Sequence, residues 1–306
     1  MSKIKKFFVS ILFIALAILV IFLLSLNSNK LPSYNSQKSV GEQTDHTITG
    51  IEAGAGIMST TQKAITTYGL NKSGWQLQTS STAVMLSQLG KAMKSHQPIV
   101  ITGWLPHWMF EKYNIKFLSD PKQAYSKGSG EHYETITAKG FKNQNPGAYK
   151  FLKNFSMQMK KVQPVMSDIN NGESTSKAAS SYIKNNPKQV SQWLSGVPNG
   201  KGKQISLAHA SYSYETFVTR MVANILKKHG YKVSVRALDP GIMWTSLTTK
   251  SIDATVTAEL PITQQAYAKK YKGEVDYAKI SLKGSRIGLA VPKYMKNIKS
   301  INDLKN

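Results

Sequence analysis

The feature that most constrains the fold of this chain is an internal duplication of one strand and helix pattern. The first copy reads as strands near 47–51, 75–77 and 98–102, alternating with helices at 57–68 and 82–93. The second copy reads as strands at 204–208, 233–235 and 254–257, alternating with helices at 215–228 and 241–248. Strands that alternate with helices predict two α/β lobes, each with a largely parallel sheet.

The two copies also end alike, on Trp104-Leu105-Pro106 in the first and Glu259-Leu260-Pro261 in the second. The interval from the start of the first helix to this tripeptide is 48 residues (Gly56 to Trp104) in one copy and 47 (Tyr212 to Glu259) in the other. Loops at the carboxyl ends of parallel strands meet at one edge of a sheet, so two such lobes face each other across a cleft. The sequence therefore predicts a hinged, two-lobed clamp.

The predicted first lobe spans 47–125 and is completed by 293–306, and the predicted second lobe spans 126–292 with a helical insertion at 146–194. Low apolar periodicity between 120 and 134 predicts one crossover between the lobes, and 288–292 predicts the other. Residues 27–46 are rich in Ser, Asn, Gln and Lys and lack apolar periodicity, which predicts a flexible stalk.

The N-terminus carries a membrane signal. A lysine-rich start precedes an apolar run of 20 residues at 7–26, long enough to span a bilayer. Basic residues before the span place the rest of the chain outside the cell. The exit Ser25-Leu26-Asn27-Ser28 is a poor cleavage site, so we favour an uncleaved anchor at 1–26 over a cleaved signal peptide. The sequence has no cysteine, which excludes a cysteine-linked lipid anchor.

The net charge of +24 comes from 40 basic and 16 acidic residues, and the three arginines are Arg220, Arg236 and Arg286. Nucleic-acid readers rely on arginine at base and phosphate contacts. The lysines here form no basic stripe interleaved with aromatic residues, so we expect no nucleic-acid partner. Attraction to anionic lipids or wall polymers stays open, and with it a wall-binding or adhesion module as an alternative function.

Catalytic patterns are absent from the sequence. There is no Gly-x-Ser-x-Gly motif, no cysteine nucleophile, and no metal-ligand spacing among the six histidines. We therefore predict a binding protein, not an enzyme, with no metal and no cofactor.

Candidate binding residues follow the strands of both copies. The turn Gly54-Ala55-Gly56-Ile57 opens a helix, and its free N–H groups suit a carboxylate, although two glycines can equally make only a tight turn. Trp104 starts a loop after a buried strand, where a ring face can hold a cation. The second copy offers Tyr212, Glu259 and Gln264 at equivalent loops.

Three motifs make a resemblance specific: GIEAGAGIM at 50–58, TGWLPHWMF at 102–110 and AVPKYM at 290–295. Over about 46–306 the chain resembles the glycine betaine and proline betaine binding proteins of Gram-positive osmoprotectant ABC importers, in their circularly permuted arrangement. The resemblance implies a type II periplasmic-binding-protein fold, a small quaternary ammonium ligand, an ABC permease and ATPase as partners, and a location at the outer face of the cell membrane.

The resemblance also implies roles for single residues. The backbone amides of Gly56 and Ile57 hold the ligand carboxylate, and Trp104 and Tyr212 occupy two positions of an aromatic cage. Glu259 stands where the family has a third tryptophan, and Gln264 stands where it has a carboxylate-binding histidine. We expect three further residues, Met58, His107 and Tyr214, to lie behind the binding residues and support them.

The departures at Glu259 and Gln264 change the expected ligand. A buried glutamate needs a positive partner or takes up a proton. A more cationic ligand than glycine betaine, such as choline, carnitine or another amine, is therefore the alternative prediction.

Overall fold

The structure is a computed structural model that describes residues 32–125 and 130–305. The predicted anchor at 1–26 and the start of the predicted stalk lie outside the described residues. Within the two described ranges, the helices are all too short or too polar to cross a membrane.

The first lobe combines four short strands with the C-terminal half of one long strand. The strands are β1 (Thr47–Thr49), β2 (Gln76–Gln78), β3 (Val100–Leu105), β4 (Ile115–Phe117) and the long β9 (Val275–Pro292). The helices are α1 (Val40–Gln43), α2 (Gly56–Tyr68), α3 (Thr82–Ser95) and α4 (Met109–Lys112), with 3-10 turns at Leu70–Ser73 and Ile301–Lys305. β1 pairs in parallel with β2 and β3, and β9 pairs antiparallel with β3 and β4.

The second lobe repeats this arrangement. Its strands are β5 (Glu131–Ala138), β6 (Gln204–His209), β7 (Lys232–Ala237) and β8 (Ala254–Leu260). Its helices are α5 (Phe141–Gln144), α6 (Pro146–Asn154), α7 (Met159–Asn170), α8 (Thr175–Asn185), α9 (Pro187–Trp193), α10 (Ser213–Lys228), α11 (Pro240–Thr248) and α12 (Gln265–Lys270). The strand order is β9-β3-β1-β2 in one lobe and β5-β8-β6-β7 in the other, so the internal duplication is present in the sheets as well.

Helices α6 to α9 fill the stretch predicted to be helical and pack on the second lobe. Phe151, Val162 and Trp193 belong to the same buried cluster as Leu207 of β6 and Phe217 of α10. Burying these apolar side chains attaches the helices to the sheet, because each removes apolar surface from water. The helical stretch therefore lies in the core of the second lobe.

Strand β9 is shared by both sheets and corrects one predicted boundary. Its residues pair with β5 as far as Ser285, and with β3 from Arg286 onward. Residues 288–292, predicted as the second crossover, lie inside the sheet of the first lobe, so the second-lobe boundary predicted at 292 is wrong. The physical reason is burial, since Ile287 and Leu289 enter the core of the first lobe.

The part of the predicted stalk that the structure describes is also folded. Val40 is 1% exposed and belongs to the core of the first lobe, and Tyr34 packs against that core. The Tyr34 amide donates to the carbonyl of His96 at 2.7 Å. The prediction of a flexible stalk is therefore wrong for residues 34–46. Two apolar side chains are too few to give a periodic pattern, yet both are packed.

Candidate functional site

Four loops converge at the cleft, and they follow β1 and β3 in the first lobe and β6 and β8 in the second. The space between them measures about 470 Å³, open solvent included. All six predicted binding residues line this one cavity: Gly56, Ile57, Trp104, Tyr212, Glu259 and Gln264. The equal spacing in the two copies therefore did bring equivalent loops together.

Two aromatic rings meet edge to face across the cleft. Trp104 ends the buried part of β3, Tyr212 precedes α10 on the other lobe, and their ring centroids lie 6.2 Å apart at 61°. The ring of His107 packs against Trp104 at 4.5 Å. Ring faces attract cations through their quadrupoles, so this wall of the cavity suits a positively charged group.

The N-terminus of α2 offers hydrogen-bond donors, which suit a negatively charged or carbonyl oxygen. Its N-cap, Ala55, makes no side-chain cap. The amides of Gly56 and Ile57 therefore have no intrahelical acceptor, and no backbone hydrogen bond among the described residues uses them. Two free N–H groups at the positive end of a 13-residue helix form a binding position for an anionic or carbonyl oxygen.

Gly56 also lies directly against the backbone of the second lobe. A Cβ at this position would come within 2.3 Å of the Thr263 carbonyl oxygen. The turn that carries Thr263 is held by Glu131, whose carboxylate accepts from the amides of Ile262 at 3.0 Å and Thr263 at 2.9 Å. Only glycine allows the two backbones this close approach.

Glu259 brings a carboxyl group to the cavity wall. The Tyr133 hydroxyl donates to Glu259 Oε1 at 2.8 Å. Burial, reinforced by the nearby Glu131 carboxylate, raises the pKa of Glu259 to about 7. The carboxyl is therefore close to half-protonated at neutral pH, and an adjacent cation would favour its ionised form.

Gln264 presents an amide donor at the same wall. It is 1% exposed, and its Oε1 accepts from the indole Nε1–H of Trp244 at 2.7 Å. Because an indole N–H can only donate, this bond fixes which end of the amide is oxygen. Gln264 Nε2 has no partner among the described residues. A buried donor left unpaired costs free energy, which a ligand acceptor would recover.

The three supporting positions lie around the cavity and not in its lining. Met58 is buried, and its Sδ accepts from the Ile51 amide at 3.2 Å. His107 lies at the outer mouth of the cleft, where burial lowers its pKa to about 3 and keeps it neutral. Tyr214 packs on Tyr133, with ring centroids 4.7 Å apart.

Sequence reasoning missed five residues that line the cavity: Ile51, Pro240, Thr263, Tyr267 and Ile287. Pro240 begins α11, directly after the parallel strand β7. Loops that follow parallel strands were the basis for choosing candidates after β6 and β8, and the same reasoning applied to β7 would have found Pro240. Tyr267 lies on α12 with its ring 6.5 Å from that of Trp244. The position of Tyr267 at the cavity depends on how α12 packs, which no local sequence pattern predicts.

The family of the chain follows from comparison with known proteins. Residues 29–185 and 203–306 match the OpuAC family model, described as the substrate binding domain of the ABC-type glycine betaine transport system. The chain is 47% identical over 291 residues to the glycine betaine/carnitine transport binding protein GbuC of Listeria monocytogenes, covering 95% of this chain and 96% of that protein.

Two solved structures are also similar. Lactococcal OpuAC, in its closed conformation with glycine betaine, is 38% identical over 55% of this chain and 64% of that chain, with a TM-score of 0.45. The glycine betaine, L-proline binding protein ProX of Borrelia burgdorferi is 26% identical over 55% of this chain and 62% of that chain, with a TM-score of 0.44. On its family match and its 47% identity to the Listeria protein, the chain belongs to the family of substrate-binding domains of ABC-type glycine betaine transport systems.

Proposed function

We propose that this protein captures a small quaternary ammonium solute in the cavity between its lobes and delivers it, without catalysis, to an ABC permease. The observation that carries the proposal is the lining of that one cavity: two aromatic rings in edge-to-face contact, a carboxyl group and unpaired amide donors. This combination matches both ends of a betaine or carnitine molecule, a cationic head and an oxygen-bearing tail.

The cationic head is assigned to the aromatic wall. Trp104 and Tyr212 approach from opposite lobes, so both contact the ligand only when the lobes are closed. A ring contributes about 0.5 to 2 kcal/mol to cation binding, more in a dry site. Contacts that exist only in the closed state are what allow a ligand to shift the equilibrium toward closure.

The oxygen-bearing tail is assigned to the amides of Gly56 and Ile57 and to Gln264 Nε2. These donors come from both lobes, so the tail too would bridge the cleft. Each donor lacks a partner among the described residues. A ligand carboxylate would satisfy all three, whereas choline could offer them only a hydroxyl.

A second candidate ligand class is favoured by Glu259. A carboxyl at the wall of a cation site adds negative charge to the cage. Among the described residues that line the cavity or its outer mouth, none is lysine or arginine, in a chain of net charge +24. That absence of positive charge at the cavity favours a ligand more cationic than glycine betaine, with choline as the candidate, since carnitine is a zwitterion of the same net charge as glycine betaine.

We further propose that the apolar run at 7–26 anchors the protein at the outer face of a Gram-positive cell membrane, and that the chain has the circularly permuted order of its subgroup. The support for the anchor is the basic flank and the length of the run. The support for the permuted order is that the lobe with the Gly54-Ala55-Gly56-Ile57 turn comes first in the chain. Fractionation of cells that make the full chain tests the anchor. Full-length protein found in the membrane pellet supports it, and a shortened protein in the medium indicates cleavage.

The experiment that tests the proposed function is a calorimetric titration of the full chain with glycine betaine, carnitine, choline and proline. Binding of at least one quaternary ammonium compound, with none by a Trp104→Ala variant, is expected. Small-angle scattering should show compaction with the same ligand, since a clamp closes on binding. A wall-binding or adhesion module would bind none of the four and would not compact.

A further inference from the structure

A second carboxyl group, on Glu215, is buried close behind the cavity. Glu215 lies in the first turn of α10 and is 0% exposed. Its Oε2 accepts from the Ala210 amide at 2.8 Å, and the hydroxyl of Thr257, two residues before Glu259 on β8, lies beside the same carboxyl group. An ionisable group this deeply buried is normally paired with an opposite charge.

The groups that face Glu215 and Glu259 are acidic, phenolic or hydroxyl groups: Glu131 and Tyr133 on β5, Tyr212 and Tyr214 at the start of α10, and Thr257 on β8. His209 also lies near, with its Nδ1 2.6 Å from the Ala210 carbonyl oxygen, but burial lowers its pKa and keeps it neutral. Among the described residues, these neighbours include no lysine or arginine. The pair therefore lacks a cation of the protein's own.

Electrostatics then restricts the charge of the pair. Burial, and next the neighbouring Glu259 carboxylate, raises the pKa of Glu215 well above its ordinary value. Two desolvated carboxyl groups near each other do not both ionise at neutral pH, and one retains a proton. Without ligand, the pair carries less than its full negative charge.

We propose that Glu215 and Glu259 together act as the counter-charge of the ligand, and that Glu215 is a residue that determines specificity for a net cation over a zwitterion. The inference rests on the proposed function, because it concerns the same cavity. When a net cation enters, its positive charge replaces the proton held by the pair, and that proton leaves to the solvent. The pair is already partly ionised without ligand, so a bound cation displaces only the fraction of a proton that the pair still holds near pH 7.

A zwitterion such as glycine betaine behaves differently, because its own carboxylate brings a second negative charge into the cleft. It therefore favours ionisation of the pair less than a net cation does, and fewer protons are released when it binds. Glu215 lines neither the cavity nor its outer mouth, so it would act on the ligand through its charge. Its effect should follow the charge of the ligand and not its size.

The test is calorimetry with the full chain at about pH 7 in buffers of different ionisation enthalpy, which gives the number of protons released on binding. Choline and glycine betaine are the two probes, and Glu215→Gln is the variant. Its amide oxygen can still accept from the Ala210 amide, so the local fold is retained. Glu42→Gln, an exposed acid on α1, is the matched control.

We expect wild-type protein and Glu42→Gln to release a measurable fraction of a proton with choline and less with glycine betaine. Glu215→Gln should reduce that release and weaken choline binding about 10-fold relative to glycine betaine. Equal proton release with both probes overturns the inference while leaving the proposed function intact, and this readout uses the wild type alone. No binding of either probe overturns the proposed function itself, and the inference with it.

Discussion

Trp244 donates its indole N–H to the amide oxygen of Gln264 at 2.7 Å, and this bond determines what Gln264 offers to a ligand. With its oxygen occupied, the side chain has only its NH₂ group left, and that group has no partner among the described residues. A glutamine can act as donor or acceptor. Trp244 restricts this one to donation.

Replacing Gln264 by Glu should therefore separate ligands that carry a carboxylate from those that do not. The Trp244 bond survives, but the free end becomes an acceptor that repels a ligand carboxylate. We expect glycine betaine or carnitine affinity to fall about 10-fold or more, as for loss of a charge-assisted hydrogen bond, while choline affinity is retained or increased because the added carboxylate attracts a cation. Calorimetric titration measures both, and Gln265→Glu makes the same change at the exposed neighbour. Equal losses for all ligands would contradict the assigned role.

Trp104 should contribute more to ligand binding than its neighbour Trp108, although both lie in the same loop region. Trp104→Phe keeps a ring but weakens the attraction for a cation, so about a 3- to 10-fold loss of quaternary ammonium affinity is expected, part of the ~0.5–2 kcal/mol that a ring contributes. Trp108 packs against the cores and lines neither the cavity nor its mouth. Trp108→Phe is therefore the control, and an equal effect of the two substitutions would argue against the cage.

Much of the site could be predicted because its residues directly follow strands. Trp104, Tyr212 and Glu259 occupy the carboxyl ends of strands, or the loops after them, in two copies of nearly equal spacing. Topology alone then brings them to one cleft. The orientation of Gln264 could not be predicted, because it depends on Trp244, 20 residues away on another helix.

Glu215 illustrates a different limit of sequence reasoning. A glutamate in the first turn of a helix is ordinarily a solvated residue that favours the helix dipole, and the pattern gives no reason to bury it. The change of pairing partner along β9 could not be predicted either. The sequence of this 18-residue strand does not show where its pairing changes from β5 to β3. Both depend on tertiary packing.

Gly56 should be required for closure of the lobes. Gly56→Ala places a methyl group 2.3 Å from the Thr263 carbonyl oxygen, a contact that backbone atoms cannot relieve without separating the lobes. We expect at least about a 10-fold loss of affinity, because overpacking costs typically 1–3 kcal/mol, and a scattering profile that stays expanded with ligand. Gly54→Ala adds the same methyl group to open space and should still close. Compaction of both variants would contradict this role for Gly56.

The raised pKa of Glu259 predicts how stability depends on pH without ligand. Its pKa is about 7 in the folded protein against an ordinary 4.5, so the folded state binds more protons in this interval. Binding of this proton stabilises the folded state. The stabilisation is fully present below pH 4.5 and is lost as pH rises through about 7. A shift of this size corresponds to about 3 kcal/mol. Glu259→Gln removes the titration and should remain comparatively stable as pH rises.

The measurement is the melting temperature of wild type and Glu259→Gln between pH 5 and 8. Burial of neutral His107, whose pKa is lowered to about 3, has the opposite sign and costs stability as pH falls below 6.5. Both proteins share that histidine, so the difference between the two curves removes its contribution and reports the titration of Glu259 together with its effect on Glu215. The melting temperature of Glu259→Gln should rise relative to that of the wild type as pH increases. A saturating cationic ligand should narrow this difference, because it stabilises the ionised carboxylate of the wild type. Curves that stay parallel would mean that Glu259 titrates alike in the folded and unfolded protein.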